Sequence, residues 1–190
     1  MNWQIDNAHS HIDFKVRHMM ISTVRGEFKE FEGSIDFNED DPEQTKVDVA
    51  VDAASIDTRE EDRDNHLRSP DFLNAERYPE ITFRSKRVEL IDDDSARLIG
   101  DLTIRGETHE VELDVEYQGM AQSPWGSMSA GFSATTSLDR KDWGLTWNKA
   151  LETGGFLVGD KLDVEIEVEL IKQDVEEAEE EAEAAMEAAR

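Results

Sequence analysis

The sequence predicts an all-β protein, about eight antiparallel strands closed into a barrel, with one helix packed against it and an acidic, helix-prone tail. Three observations carry that reading. Apolar and charged residues alternate with period two over long runs, glycines fall inside those runs where a closing sheet must bend, and a single segment breaks the pattern with helical spacing.

The alternation is plain near the start, where Ile12, Phe14 and Val16 are interleaved with Asp13, Lys15 and Arg17. Side chains on a strand point to opposite faces in turn, so the apolar three share one face. Val47, Val49 and Val51 repeat the pattern, as do Val111, Leu113, Val115 and Tyr117. Leu162, Val164, Ile166, Val168 and Leu170 alternate with acids to the end of the strand pattern. Such strands bury one face in an antiparallel sheet. Further strands are expected near Val24 to Phe37, Ile81 to Leu90, Ala96 to Arg105 and Gly126 to Leu138, with Arg105-Gly106-Glu107 and Tyr117 to Gly126 as connections. Thr58 to Asn74 reads as the helix, with Thr58 as N-cap, acids in the first turn and Pro70 ending or deflecting it.

Residues 1–172 form the expected barrel domain and 173–190 the tail. Residues 174–190 hold eight acids and one Arg among alanines, a composition that suits a solvated terminal helix. The formal charge of −26 is extreme. It repels phosphate backbones, which excludes nucleic acid, and leaves transient membrane contact at most. Acid excess with twelve Arg to eight Lys resembles the proteins of halophilic organisms. At molar salt the screening length falls to about 3 Å, and the self-repulsion largely vanishes. The opening MNWQIDNAHS has no charged start, apolar run or small-residue cleavage site, so a cytoplasmic location is expected. No stretch is apolar for long enough to make a transmembrane helix.

Chemistry-bearing motifs are sparse. The absence of cysteine excludes disulfides, thiolate metal sites and cysteine nucleophiles. His9 and His11 would share one face of a strand, but spacing supplies no third ligand, and no metal is expected. Asp64 and His66 lie about 200° apart on a helix and do not form a dyad. Ser69, three residues beyond His66, lacks the strained elbow of a nucleophile. No phosphate-binding glycine loop occurs, no catalytic residue is assigned, and no cofactor is expected. The aromatics beside the strands would fill a solid core, yet an eight-stranded barrel is just wide enough to hold one small ligand. Small residues at Gly33, Ala50, Ala53, Gly131 and Ala134 leave room in such a lumen.

Several ordered motifs resemble the YceI-like family. Asp6 to His18 (DNAHSHIDFKVRH) is similar to its opening strand, and Val24 to Ile35 to the strand that follows. Ser55 to Phe83 carries S-I-D-T, R-D-x-H-L-R-S-x-D-F and Y-P-x-I-x-F in order. Gly100 to Glu116 and the run RKDWGLTWN, Arg140 to Asn148, extend the likeness to nearly all of Trp3 to Lys172. The resemblance implies an extended lipocalin-like barrel with a packed helix. It also implies binding of polyisoprenoid chains, of the polyprenyl-diphosphate or polyprenyl-quinone kind, with homodimers and a periplasmic location common among members.

An isoprenoid carrier or store is therefore the expected function, and not an enzyme. The alternation lines its lumen with Ile12, Phe14, Val16, Val49, Val51 and Phe83, together with Leu113, Val115, Phe132, Ile166 and Val168. His18 continues the inward register and could meet a head group, and Arg25 could pair with a diphosphate. Two other classes compete: a hydrolase or isomerase of a small apolar substrate using His18 or His66, and a stress-related structural or interaction protein with a solid core.

Overall fold

A computed structural model describes residues 3–124, 126–152 and 154–172. The expected tail, 173–190, lies outside the described residues. Eleven strands form one antiparallel sheet: β1 (Trp3–Ile5), β2 (His11–His18), β3 (Ser22–Phe28), β4 (Phe31–Asp36), β5 (Lys46–Asp52), β6 (Ile56–Asp57), β7 (Glu80–Leu90), β8 (Ser95–Ile104), β9 (Glu107–Gln122), β10 (Met128–Asp139) and β11 (Val158–Lys172). Among the described residues there is one α-helix, α1 (Glu61–Arg68), between β6 and β7.

The pairing reduces these segments to eight strands. β1 and β2 both pair with β11, through Ile5 opposite Leu170 and Ile12 opposite Ile166, so they are halves of one interrupted strand. The gap between them is bridged: the Asp6 backbone N–H donates to the Glu169 carbonyl (2.8 Å), and the Glu169 N–H donates to Ser10 Oγ (3.1 Å). β3 and β4 likewise form one strand bent at Lys29–Glu30, its first half on β2 (Phe14 opposite Gly26) and its second on β5 (Gly33 opposite Val49). β5 continues through a short turn into β6, which follows the same strand back to Phe28. The bent strand thus carries the sheet round to its starting edge. At the remaining seam Trp3 of β1 packs on Phe37 just beyond β4, with ring centroids 5.8 Å apart.

The expected number of eight holds when the strands are counted this way, while two details differ. Val24 to Phe37 is two segments because the barrel needs the bend. β9 runs to Gln122, beyond the expected end near Tyr117, since the ladder to β10 resumes past a bulge at Gly131/Phe132. The β8–β9 hairpin is closed by Arg105 (φ 52°) and Gly106 (φ 79°), the paired positive φ of a twist-matched two-residue turn.

The helix is shorter than Thr58 to Asn74. Glu60 caps it, its carboxylate accepting from the Arg63 N–H at 2.7 Å. Pro70 has no N–H to continue the ladder, and the chain turns instead, with the Ala75 N–H donating to the Arg68 carbonyl (2.9 Å). Thr58 has a different task from the one expected. Its N–H and hydroxyl both donate to the buried Asp64 carboxylate, which pins the entering chain to the helix.

A packed core closes the barrel at the α1 end. Ile56, Leu73, Ile81, Ile104, Trp143 and Leu145 are its buried centre, and the Trp143 indole donates to the Leu102 carbonyl (3.1 Å). A second, smaller cluster around Trp3, Ala130 and Leu170 sits at the other end. Removing the Asp64 carboxylate should orphan the Thr58 donors at a cost of about 2 kcal/mol. Asp64→Ala is therefore expected to lower the urea midpoint of unfolding, with Asp64→Asn milder; a wild-type midpoint in Asp64→Ala would remove this staple from the account.

Candidate functional site

Between the two clusters the barrel is hollow. The cavity is about 650 Å³, inside the range of about 300–1,000 Å³ common for small-molecule sites. Its wall is the inner face of the pleat. β2 supplies Ile12, Phe14, Val16 and His18, β5 supplies Val49 and Val51, and β7 supplies Phe83. β9 adds Leu113 and Val115, β10 adds Phe132, and β11 adds Ile166 and Val168. All twelve residues that the alternation turns inward line this space. Most of them are only half-buried although they lie inside the barrel, because they face void in place of neighbouring atoms.

The wall also includes residues that the alternation did not single out: Ile5, Val24, Phe28, Phe31, Ile35, Leu98 and Leu102. Leu98 and Leu102 obey the same period-two rule and were legible. Leu67 and Phe72 come from the helix and the turn after it, where strand periodicity gives no signal. Of the small residues expected to open the lumen, Ala134 alone lines it. Gly26 serves another way: a Cβ there would stand 2.3 Å from the Phe14 ring, so the glycine makes space for that ring against the neighbouring strand.

The α1 end of the cavity is polar in places, and most of its polar groups are engaged; the exception among the arginine nitrogens is Arg140 Nη2, which is buried without a hydrogen bond, 3.6 Å from Asp160 Oδ1. Arg63 donates from Nε to Thr58 Oγ1 (2.7 Å) and from Nη2 to the Thr58 carbonyl (2.8 Å). Arg140 is buried, with Nε on the Gly159 carbonyl (2.8 Å) and Nη1 on the carbonyls of Leu145 and Trp147. Burial pulls its pKa below the ordinary arginine value, against the opposing charges of Asp160 and Asp139. His66 Nε2 is hydrogen-bonded to Asp71 (2.9 Å), and its ring meets Phe72 and Trp147 edge-on at 5.0 and 4.6 Å.

The other end is the mouth. Leu90, Asp92, Asp93, Asp94 and Met120 belong to the wall and are themselves exposed. Phe37, Glu39 and Tyr117 stand beside them, with Phe37 packed on both Tyr117 and Phe132. The pKa of Tyr117 is raised, first by burial and then by the negative charges of Glu39 and Asp94.

Other expected sites resolve differently. Arg25 stands opposite Lys15 in the outward register of β2 and β3, away from the cavity, so it cannot serve a head group in the lumen. His9 and His11 do not share a strand: His9 lies in the turn before β2 and bonds Asp6 through Nδ1 at 2.7 Å. That bond raises the pKa of His9 and lowers that of Asp6. Ser69 gives its hydroxyl to the His66 carbonyl (2.7 Å), not to the imidazole, so the two do not form a nucleophile–base pair.

A closed antiparallel barrel around an apolar, unfilled lumen defines a binding module for a greasy ligand. The family model of the YceI-like domain matches residues 3–170, and the chain belongs to the YceI-like family. It is 39% identical over 168 residues to the UPF0312 protein SERP2314 of Staphylococcus epidermidis, covering 88% of this chain and 95% of that one. The crystal structure of a Campylobacter jejuni YCEI protein superposes with a TM-score of 0.72 at 35% identity, covering 83% and 90% of the two chains. The same fold recurs at 12% identity, with a TM-score of 0.65 and 90% and 98% coverage, in a polyisoprenoid binding domain from Saccharophagus degradans implicated in plant cell wall breakdown.

The electrostatics of the mouth can be read from Tyr117. The chain has two tyrosines, so Tyr78→Phe leaves one reporter. Its phenolate absorbance should rise above the ordinary tyrosine range, and Asp94→Asn should bring that titration down. An unchanged curve in Asp94→Asn would show that the aspartate does not act on the mouth.

Proposed function

We propose that this barrel binds a long-chain isoprenoid lipid in its lumen and carries or stores it. The observation behind the proposal is an apolar cavity that the protein's own side chains leave unfilled. Each methylene withdrawn from water contributes about 0.8 kcal/mol, so a chain of repeated isoprene units gains steadily along such a wall. Ordering the flexible chain offsets part of the gain. The likeness to a polyisoprenoid binding domain supports the choice of lipid.

The competing readings fit less well. A solid-core structural protein has no use for a cavity of this size. A hydrolase built on His66 would need a nucleophile facing the ring, and the nearby Ser69 hydroxyl is engaged elsewhere.

Organic extraction of freshly purified protein, followed by mass spectrometry, is expected to yield a long-chain isoprenoid in stoichiometric amount. Phe14→Glu and Val115→Glu each place a charge in the wall, and should lose that lipid while keeping the wild-type circular dichroism. Lipid retained at wild-type level in both folded variants would contradict the lumen as the site.

A further inference from the structure

We infer that the cavity selects its ligand by head-group charge, accepting uncharged heads such as an alcohol or a quinone and rejecting diphosphates. The inference rests on the isoprenoid reading above and narrows it.

The first ground is the mouth. Asp92, Asp93 and Asp94 are consecutive, exposed and part of the wall. Glu39 is on the same wall, but Lys172 pairs with it at 2.7 Å, so the unbalanced charge belongs to the three aspartates. Asp92 is held ionised by the Asp94 backbone N–H (3.0 Å) and by Ser95, which lower its pKa. A head group lodged here touches these residues, well inside the screening length of about 8 Å at physiological salt. The pKa of Tyr117 on the same wall is raised first by burial, and Glu39 and then Asp94 add to it.

The second ground is the far end. A diphosphate that entered head first would need a cation there, and guanidinium forks are the usual partners of phosphate oxygens. Among the described wall residues there is no lysine, and each of the three arginines already donates to protein acceptors. Arg63 donates to Thr58, and Arg17 to Thr23 Oγ1 (3.3 Å) and the Met20 carbonyl (2.9 Å). Arg140 donates to three carbonyls, and its remaining Nη2 makes no hydrogen bond but is buried out of reach of the lumen, 3.6 Å from the Asp160 carboxylate. His66 is held by Asp71. The ring of His18 has no hydrogen-bond partner among the described residues, and one imidazole suits the oxygen of an alcohol or a carbonyl. A multiply charged head taken to this end would lose its hydration without meeting an unengaged, accessible guanidinium fork in return, which is disfavoured. Neither end of the cavity is built for a diphosphate.

Geranylgeraniol and geranylgeranyl diphosphate share one chain and differ only in the head. Equilibrium dialysis of the two radiolabelled compounds, each kept below its aggregation threshold, compares them directly on the wild type and on Asp92→Asn/Asp93→Asn/Asp94→Asn. Asparagine keeps the side-chain oxygen that accepts the Asp94 N–H, so the turn is preserved. The wild type is expected to prefer the alcohol by about tenfold or more at physiological salt, and less at about 1 M salt, where the screening length is about 3 Å. The triple variant should narrow the preference to within about threefold by gaining diphosphate affinity, with alcohol binding unchanged. Equal or tighter wild-type binding of the diphosphate, or an unchanged preference in the variant, overturns the selection while leaving the isoprenoid reading intact. Binding of neither compound overturns both.

Discussion

The diameter of this barrel is set by its strands and not by what its side chains can fill. Eight pleated strands, closed through the bend at Lys29–Glu30, fix a ring whose inner face receives every second residue. Those residues are mostly Val, Ile, Leu and Phe, too short to meet across the ring over its whole length. Packing is completed only at the ends, by Trp143 and the α1 region on one side and by Trp3 and Phe37 on the other. A stretch of apolar wall without a partner remains between them. The cavity is therefore a consequence of closure, and the fold tolerates it because the strand ladders and the end clusters hold the ring independently of the lumen.

This division of labour explains which parts were legible in the sequence. Period-two alternation is a strong signal, and it assigned the wall side chains of β2, β5, β9 and β11 to the correct face without knowledge of partners. What it could not give is any feature defined by pairing across the chain. The interruption between β1 and β2, the bend that makes β3 and β4 one strand, and the short β6 all depend on registers with distant residues. Thr58 looked like a helix cap because local sequence cannot show that Asp64 would fold back to it. Arg25 was assigned to a head group by its type, although its odd position places it on the outer face beside Lys15. The helix and turn residues Leu67 and Phe72 reach the wall through tertiary packing alone.

Charge is distributed with the same asymmetry as packing. The acids that alternate with the apolar wall face outward, where Lys15 meets Glu165 and Lys86 meets Asp101 and Glu110. Exposed pairs of this kind contribute little stability each. Around the lumen, cations tied to carbonyls lie near α1 and a run of carboxylates lies at the mouth. The middle of the lumen offers a ligand dispersion contacts and dehydration, and the ends decide what its polar terminus can be. Affinity and selectivity thus arise in different parts of one cavity.

The central claim is that an empty apolar interior is where a ligand chain lies. Intermolecular NOEs between a deuterated, methyl-labelled sample and a bound unlabelled isoprenoid would test it most directly. Cross-peaks are expected from the chain to the methyls of Val16, Val49, Val115 and Val168. Cross-peaks confined to exposed side chains such as Ile21 and Met20, with none to those valines, would contradict it.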